Sequence, residues 1–310
     1  MPTASANSTH WLALTDWTLM AVSGPQAKTF LQGQVTCDIR ELTPGESRLG
    51  AHCDPKGRMQ LSFRALATSD ERILLRIPRT MVEATTASLG KYIVFSKAEL
   101  SDEGSHYRLR GLWGPQAREL LTQQLTEPAM EAGQWVEHDG NVILTLGPER
   151  YECWLDPEQT GRLDHALGTP ETGDPLWRLL DIRAGLGEVM PETQGLFTPQ
   201  LLNFTRIGAV SFRKGCFTGQ EIVARLHYKG KLKQHMRRLA LTSGEPHSLR
   251  PGTPLYNEAD KKVGELVTAA PDERSGWECL AVVDDRALEE VLRIDHTFPA
   301  EPLSLPYTVE

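Results

Sequence analysis

The 310-residue sequence predicts an α+β protein with two strand–turn–helix units, a small mixed layer and a small C-terminal β-barrel. Three observations carry that expectation. Residues 20–31 echo residues 110–121, residues 59–65 alternate apolar and polar, and the chain beyond residue 237 breaks into short strand-like runs.

In the echo, Met20-Ala21-Val22-Ser23-Gly24-Pro25-Gln26-Ala27 parallels Arg110-Gly111-Leu112-Trp113-Gly114-Pro115-Gln116-Ala117. Each time a short strand ends at Gly, and Pro takes the first helical turn, where its missing N–H costs nothing. Related βα halves packed around one sheet would produce this, and so would convergent use of a good helix start. Between the copies, Met59, Leu61, Phe63 and Ala65 mark a half-buried strand. Asp54-Pro55-Lys56-Gly57 supplies the turn before it, Pro presetting φ and Gly closing. Residues 72–77 read as a strand, 80–89 as a helix and 92–95 as another strand. Further on, 239–242, 263–269 and 279–283 are short runs broken by Gly, Pro and Asp, the spacing of a small barrel.

Composition narrows the function classes. Forty per cent apolar and 24% charged residues fit an ordinary globular protein. The N-terminus lacks a basic stretch followed by an apolar one, so no secretory signal is expected. No apolar run approaches the roughly 18 residues of a membrane span. The five cysteines, at 37, 53, 153, 216 and 279, include no C-x-x-C pair, so no zinc or locally encoded iron–sulfur site is expected. Scattered free thiols fit a reducing, cytoplasmic setting. A net charge of −8 argues against a broad nucleic-acid surface, and direct tRNA binding is not expected. One stretch opposes the trend: residues 225–238 hold six Lys or Arg, two His and no acid. It reads as a solvated hairpin face or as an electropositive rim for an anionic ligand.

The most informative eight residues are Lys214-Gly215-Cys216-Phe217-Thr218-Gly219-Gln220-Glu221. Residues 208–212 read as a strand leading in, and 221–226 present an apolar helix face. Thr218 and Glu221 match a T-x-x-E capping box. Cys216 would then lie just ahead of a helix N-terminus, with Arg213 and Lys214 adding positive charge. Both effects favour the thiolate, the reactive form. If the thiol is buried, the same pattern is architecture.

This octapeptide resembles the signature of the YgfZ family, folate-binding proteins related to the aminomethyltransferase (T-protein) of the glycine cleavage system. Residues 31–38 (LQGQVTCD), 51–59 (AHCDPKGRM), 91–97 (KYIVFSK) and 224–230 (ARLHYKG) resemble further family segments in order, so the likeness runs from about residue 17 to 230. It implies a three-domain cloverleaf of the T-protein type around a central folate channel. The folate-binding domain would comprise 1–45 plus 107–236, a second α+β domain 46–106 and the barrel 237–310. By the same resemblance Trp17 and Trp177 would contact folate, with reduced folate (tetrahydrofolate) as cofactor. Asp38, Gln200 and Asn203 are further candidates. Asp38 also reads as a turn residue, and the two amides as loop hydrogen-bonders. The basic stretch could receive the glutamate tail of the folate or an RNA phosphate.

T-proteins look like L-E-A-G where this chain has Ile182-Arg183-Ala184-Gly185. Their glutamate can accept two N–H bonds from the pterin edge, whereas arginine only donates. That departure weighs against an aminomethyltransferase or related one-carbon transferase, which is the alternative reading. The resemblance implies instead an accessory protein without independent turnover, supporting iron–sulfur enzymes such as tRNA methylthiotransferases. Cys216, with Lys214 as its local cation, would hold or relay sulfur, a cluster or electrons.

Overall fold

The structure, a computed structural model, describes residues 8–241 and 249–309. The chain begins with β1 (His10–Ala13), β2 (Trp17–Ser23), α1 (Ala27–Gln32), β3 (Ser47–Cys53), β4 (Met59–Ser69), β5 (Arg72–Pro78), α2 (Val82–Ile93) and β6 (Glu99–Asp102). It continues with β7 (Arg108–Trp113), α3 (Ala117–Gln124), β8 (Trp135–His138), β9 (Asn141–Gly147), β10 (Arg150–Leu155), α4 (Pro157–Leu167), β11 (Glu171–Thr172) and α5 (Asp174–Arg183). After α6 (Gln220–Lys229) come β12 (Gln234–Leu241), β13 (Pro254–Tyr256), β14 (Lys262–Pro271), β15 (Trp277–Asp284), β16 (Leu292–Ile294) and β17 (Phe298–Leu303). Two compact units result. One holds the chain up to Gln32, 39–48 and 63–177; the other holds 33–38, 49–62 and the chain from Arg178 on. The segment 46–106 is thus divided, its stretch 49–62 belonging with the second unit.

In the first unit, β4–β5–β2–β6 are hydrogen-bonded neighbours in one sheet, and β11–β1–β7–β10–β9–β8 form another. The echo lies at the start of two longer repeats. With β3 and β8 set aside, a strand, a helix, a hairpin, a second helix and an edge strand occur in the order β2-α1-β4-β5-α2-β6 and again as β7-α3-β9-β10-α4-β11. In each copy the first strand pairs antiparallel with the second hairpin strand, β2 with β5 and β7 with β10. The turns are built alike. Gly24 and Gly114 have φ of 120° and 124°, and the amides of Ala27 and Ala117 donate back to the glycine carbonyls at 3.0 Å. A side chain at Gly114 would place its Cβ 2.4 Å from the Ser8 carbonyl oxygen, so glycine is required there. The expectation of one shared sheet is corrected: the copies occupy two sheets, β1 adding a strand beside β7 in the second.

Helix α4 shows how local sequence sets an element. Asp156 accepts hydrogen bonds from the amides of Glu158 and Gln159, and Pro157 fills the first turn. Leu163 of α4 and Leu121 of α3 bury against Leu112, Ile143 and Tyr151 of the sheet. Each such aliphatic side chain contributes about 1.5–3 kcal/mol. The strand expected at 92–95 does not form. Helix α2 continues through Tyr92 and Ile93, leaving Val94 and Phe95 exposed, and the pairing partner of β2 is the polar β6 instead. A short apolar run does not separate helix from strand by periodicity. The helix expected from residue 80 opens with a 3₁₀ turn, Arg79–Met81.

In the second unit β12–β15–β14–β13–β16–β17 close into a barrel. Leu239, Leu255, Leu266, Val283 and Ile294 are among its buried core residues, each side-chain burial again worth about 1.5–3 kcal/mol. The three expected runs correspond to β12, β14 and β15, although Thr242 lies outside the described residues. The other strands escaped sequence reading because β13 and β16 are three residues long and β17 contains Pro299 and Pro302. Among the described residues, no helix is long and apolar enough to cross a membrane.

Candidate functional site: a tethered thiol loop

Three of the segments singled out in the sequence converge in the second unit. Residues 33–38 form a strap, residues 51–58 a hairpin tip, and residues 209–219 a loop entering α6. The strap joins the other two. Thr36 is its centre: its hydroxyl donates to the Ala209 carbonyl at 2.7 Å and accepts from the Ala51 amide at 2.9 Å. The Thr36 carbonyl accepts from the Ser211 amide. His52 Nδ1 lies 2.8 Å from the Gln34 carbonyl. Asp54-Pro55-Lys56-Gly57 makes the expected turn, with the Gly57 amide donating to the Asp54 carbonyl at 2.9 Å.

The loop alternates buried and exposed residues in a telling order. Lys214 is 6% exposed, Gly215 and Cys216 are exposed, and Phe217 is again 6% exposed. Lys214 Nζ donates to the carbonyls of Val35 and Cys37, the latter at 2.9 Å, and lies 5.2 Å from the centre of the Phe217 ring. Two buried anchors therefore hold a two-residue tip out in solvent with the thiol on it. The ammonium is held by the strap. Its observed role is to fasten the loop across 179 positions of sequence.

Two local expectations are corrected. Residues 208–212 are not a strand; they run without regular structure, their rungs going to Thr36 rather than to a sheet. The capping box does not form either. The cap of α6 is Gly219, at φ 83°, without a side-chain cap bond. Thr218 turns to the strap, its amide on the Gly33 carbonyl and its hydroxyl 3.2 Å from Gln34 Oε1. Gly219 sits so close to the hairpin tip that an added Cβ would fall 2.4 Å from the Asp54 carbonyl oxygen. Residues 217–219 thus separate Cys216 from the first turn of the helix.

The other four cysteines are buried. Burial, and secondarily the charge of Asp54, pushes the Cys53 thiol up to about 12. Burial, followed by Glu278, does the same to Cys279, and Cys153 is also raised. These thiols stay protonated and enclosed at neutral pH.

The expected folate residues fall in different surroundings. Trp17 and Trp177, both in the first unit, are 1% and 0% exposed. The Arg76 guanidinium lies 4.5 Å from the Trp17 ring centre, and that of Arg150 4.3 Å from Trp177. Trp177 packs flat on β7, where a Cβ at Gly111 would come within 2.6 Å of the ring. Its buried indole N–H has no hydrogen-bond acceptor. Asp38, 8% exposed, follows Cys37 in the strap. Gln200 and Asn203 line a cleft of roughly 500 Å³ in the second unit, with Arg206, His227, Lys231 and His235. Gln200 Nε2 donates to the Val223 carbonyl at 2.6 Å, while its buried Oε1 accepts nothing. Asn203, at φ 58°, donates to the Met236 carbonyl at 2.9 Å. Arg206 and Asp285 of this cleft had no sequence signal, because only the fold brings them to the basic stretch.

Arg183 makes a bidentate pair with Glu273, both bonds at 2.6 Å, and reaches Glu278 Oε1 at 2.9 Å, while Arg238 holds the other oxygen of Glu278, Oε2. It is a fastener of the barrel. The Arg183 hydrogen bond, opposed by burial, holds the Glu273 carboxyl below its usual range. A lowered acid contributes stability above its unfolded pKa and loses it as pH falls through the folded value. The melting temperature should therefore hold level from about pH 7 to about pH 5 and fall below that. Glu273→Gln should flatten part of the fall. Superimposable wild-type and variant profiles would mean that the pair is inert.

Comparison with known proteins agrees with this architecture. Residues 10–139 match the family model described as the GCVT N-terminal domain. A "tRNA-modifying protein YgfZ" from Pectobacterium carotovorum is 32% identical over 99% of this chain and 95% of its own. The protein of the same name from Colwellia psychrerythraea is 32% identical over 74% of this chain and 71% of its own. Among solved structures, the glycine cleavage system aminomethyltransferase T from Bartonella henselae superimposes with a TM-score of 0.76 at 19% identity, covering 97% of this chain and 86% of that one. That likeness shows a shared T-protein fold, and the near-full-length identity decides the family: this chain belongs to the YgfZ family.

Proposed function

We propose that this protein is a folate-binding accessory factor, acting in the cytoplasm, that supports iron–sulfur enzymes and through them the methylthiolation of tRNA. The observation that carries the reading is the presentation of Cys216. Of the five cysteines it is the exposed one, and it stands on a tip held by buried anchors on both sides. Sulfur carriage, cluster ligation and electron relay would all run through that sulfur. The curated relatives' name, tRNA-modifying protein, agrees with such a role.

The residues were weighed against a folate. Trp17 and Trp177 offer no solvent-facing ring surface, so in this conformation they do not fit a stacking role; they back the guanidinium groups of Arg76 and Arg150. The cleft at Gln200 does fit. Its unfilled acceptor suits a ligand with N–H donors, which a folate carries on its pterin edge and at its glutamyl amide. When bound, a reduced folate supplies one-carbon or redox chemistry at the pterin. The part left to Gln200 and Asn203 is to hold and orient. Arg183, fully engaged with two glutamates, leaves the one-carbon transferase reading without its pterin-binding carboxylate. Calorimetric titration with tetrahydrofolate kept reduced should give a saturable heat. Gln200→Leu should weaken binding about tenfold, the cost of one lost hydrogen bond to a buried group. Absence of any saturable signal with the wild type would defeat the folate reading.

A further inference from the structure

We infer that the surface formed by Phe212, Arg213, the C-terminal half of α6 and residues 230–233 binds single-stranded nucleic acid. Tyr228 stacks on a base, and Lys229, Lys231 and Lys233 meet phosphates. The inference goes beyond the accessory role above and does not depend on the folate reading.

The basic stretch 225–238 looks uniform in the sequence, and the structure divides it. In β12, Arg238 is taken up by Glu278 at 2.6 Å and Arg237 by Asp285 at 2.8 Å. Ahead of β12 the pattern changes. Arg225, Lys229, Lys231 and Lys233 are exposed, as is Arg213, and among the described residues none of these five side chains makes an ion pair. Arg225, Tyr228 and Lys229 follow at spacings of three and four, which places them on one face of α6. Gly230 is extended, with φ −85° and ψ 146°. Beyond it Lys231 and Lys233 are exposed around a half-buried Leu232, the alternation of an extended chain. The acid of α6, Glu221, stands at the opposite end of the helix from the lysines. Asp285, whose amide donates to the Lys233 carbonyl, is already paired with Arg237 and His235.

An aromatic cluster sits among these cations. Phe212 and His227 stack at 3.9 Å with 10° between their planes, and the Tyr228 ring is inclined to them at 64° and 71°. The contacts tie the loop carrying Arg213 to the end of α6. They brace Tyr228 while leaving it 69% exposed. Aromatic rings among Lys and Arg are the equipment of single-strand binding, where bases stack and the backbone follows a positive track. A protein partner fits less well, because lysine is depleted at protein–protein interfaces. The net charge of −8 describes the whole chain and weighs against a broad nucleic-acid surface, which a patch of this size is not.

The test is fluorescence anisotropy of the full-length protein with labelled oligouridine and oligodeoxythymidine of about 12 nucleotides, and with a duplex of the same length, at about 50 mM and about 200 mM salt. The single strands should bind and weaken with a log–log salt slope of about −2 to −3, as three or four neutralised phosphates give. Lys229→Gln, Lys231→Gln and Lys233→Gln together should reduce that slope by about 2 and weaken low-salt binding by about tenfold or more. Tyr228→Ala should weaken binding about tenfold at either salt, and Tyr228→Phe should retain it, because the ring and not the hydroxyl stacks. These positions are exposed, so melting curves of the variants should match wild type. Tighter binding of the ribose or of the deoxyribose strand supports the inference either way and tells RNA from DNA. No binding of either strand at low salt would overturn it, and so would a duplex bound as tightly as the single strands. A Tyr228→Ala protein that binds like wild type would remove the stacking role. Polyglutamate bound as tightly as oligouridine would overturn the inference in favour of an acidic protein.

Discussion

Lys214→Met should lower the unfolding free energy by roughly 3 kcal/mol and free the loop that carries Cys216. The ammonium is nearly enclosed and donates to the carbonyls of Val35 and Cys37. Methionine fills the space without donating, so two carbonyls lose a charged partner in a place water reaches poorly. Leaving a buried acceptor unsatisfied costs about 1–3 kcal/mol, and hydrogen bonds from charged donors lie at the upper end. The remaining tethers, through Thr36 and Thr218, are neutral and weaker. The urea midpoint should drop, and amide exchange at 33–38 and 211–219 should quicken together. An unchanged midpoint with slower alkylation of Cys216 would instead make Lys214 the local cation that the sequence suggested.

Much of this fold was legible because it is local. The echo at Gly24-Pro25 and Gly114-Pro115 describes turns that depend on a positive φ and a helix start, both decided within a few residues. The turn at Asp54–Gly57 and the alternation of β4 belong to the same kind. Misreadings occurred where a distant partner outbid a local one. Thr218 and Glu221 have the spacing of a capping box, yet the hydroxyl finds Gln34 across the strap, and Gly219 takes the cap. Residues 92–95 are apolar enough for a strand, but β2 pairs with the polar 99–102. In the site, the motif itself marked Cys216 and Lys214, while the reason for their arrangement lies in residues 33–38. No spacing rule links those positions. Arg183 was readable as a departure, but its real partners, Glu273 and Glu278, stand 90 and 95 residues away.

Cys216→Ala should abolish function while leaving the fold intact. Its side chain is exposed, so removing the sulfur leaves no cavity, and exposed substitutions of this kind shift stability by only about 0.5 kcal/mol. The neighbours that hold the tip, Lys214 and Phe217, keep their contacts. Folate binding should persist, since the cleft at Gln200 is lined by other residues. Any loss is then a loss of sulfur chemistry and not of structure, a separation that the buried cysteines would not permit.

The decisive measurement is the level of methylthiolated adenosine in tRNA from cells lacking the gene, complemented with empty vector, wild type or Cys216→Ala. The level should fall without the gene, return with wild type, and stay at the vector level with a Cys216→Ala protein that is folded and still binds folate. Full restoration by Cys216→Ala would contradict a working thiol, and a level that never falls without the gene would contradict the proposed role altogether.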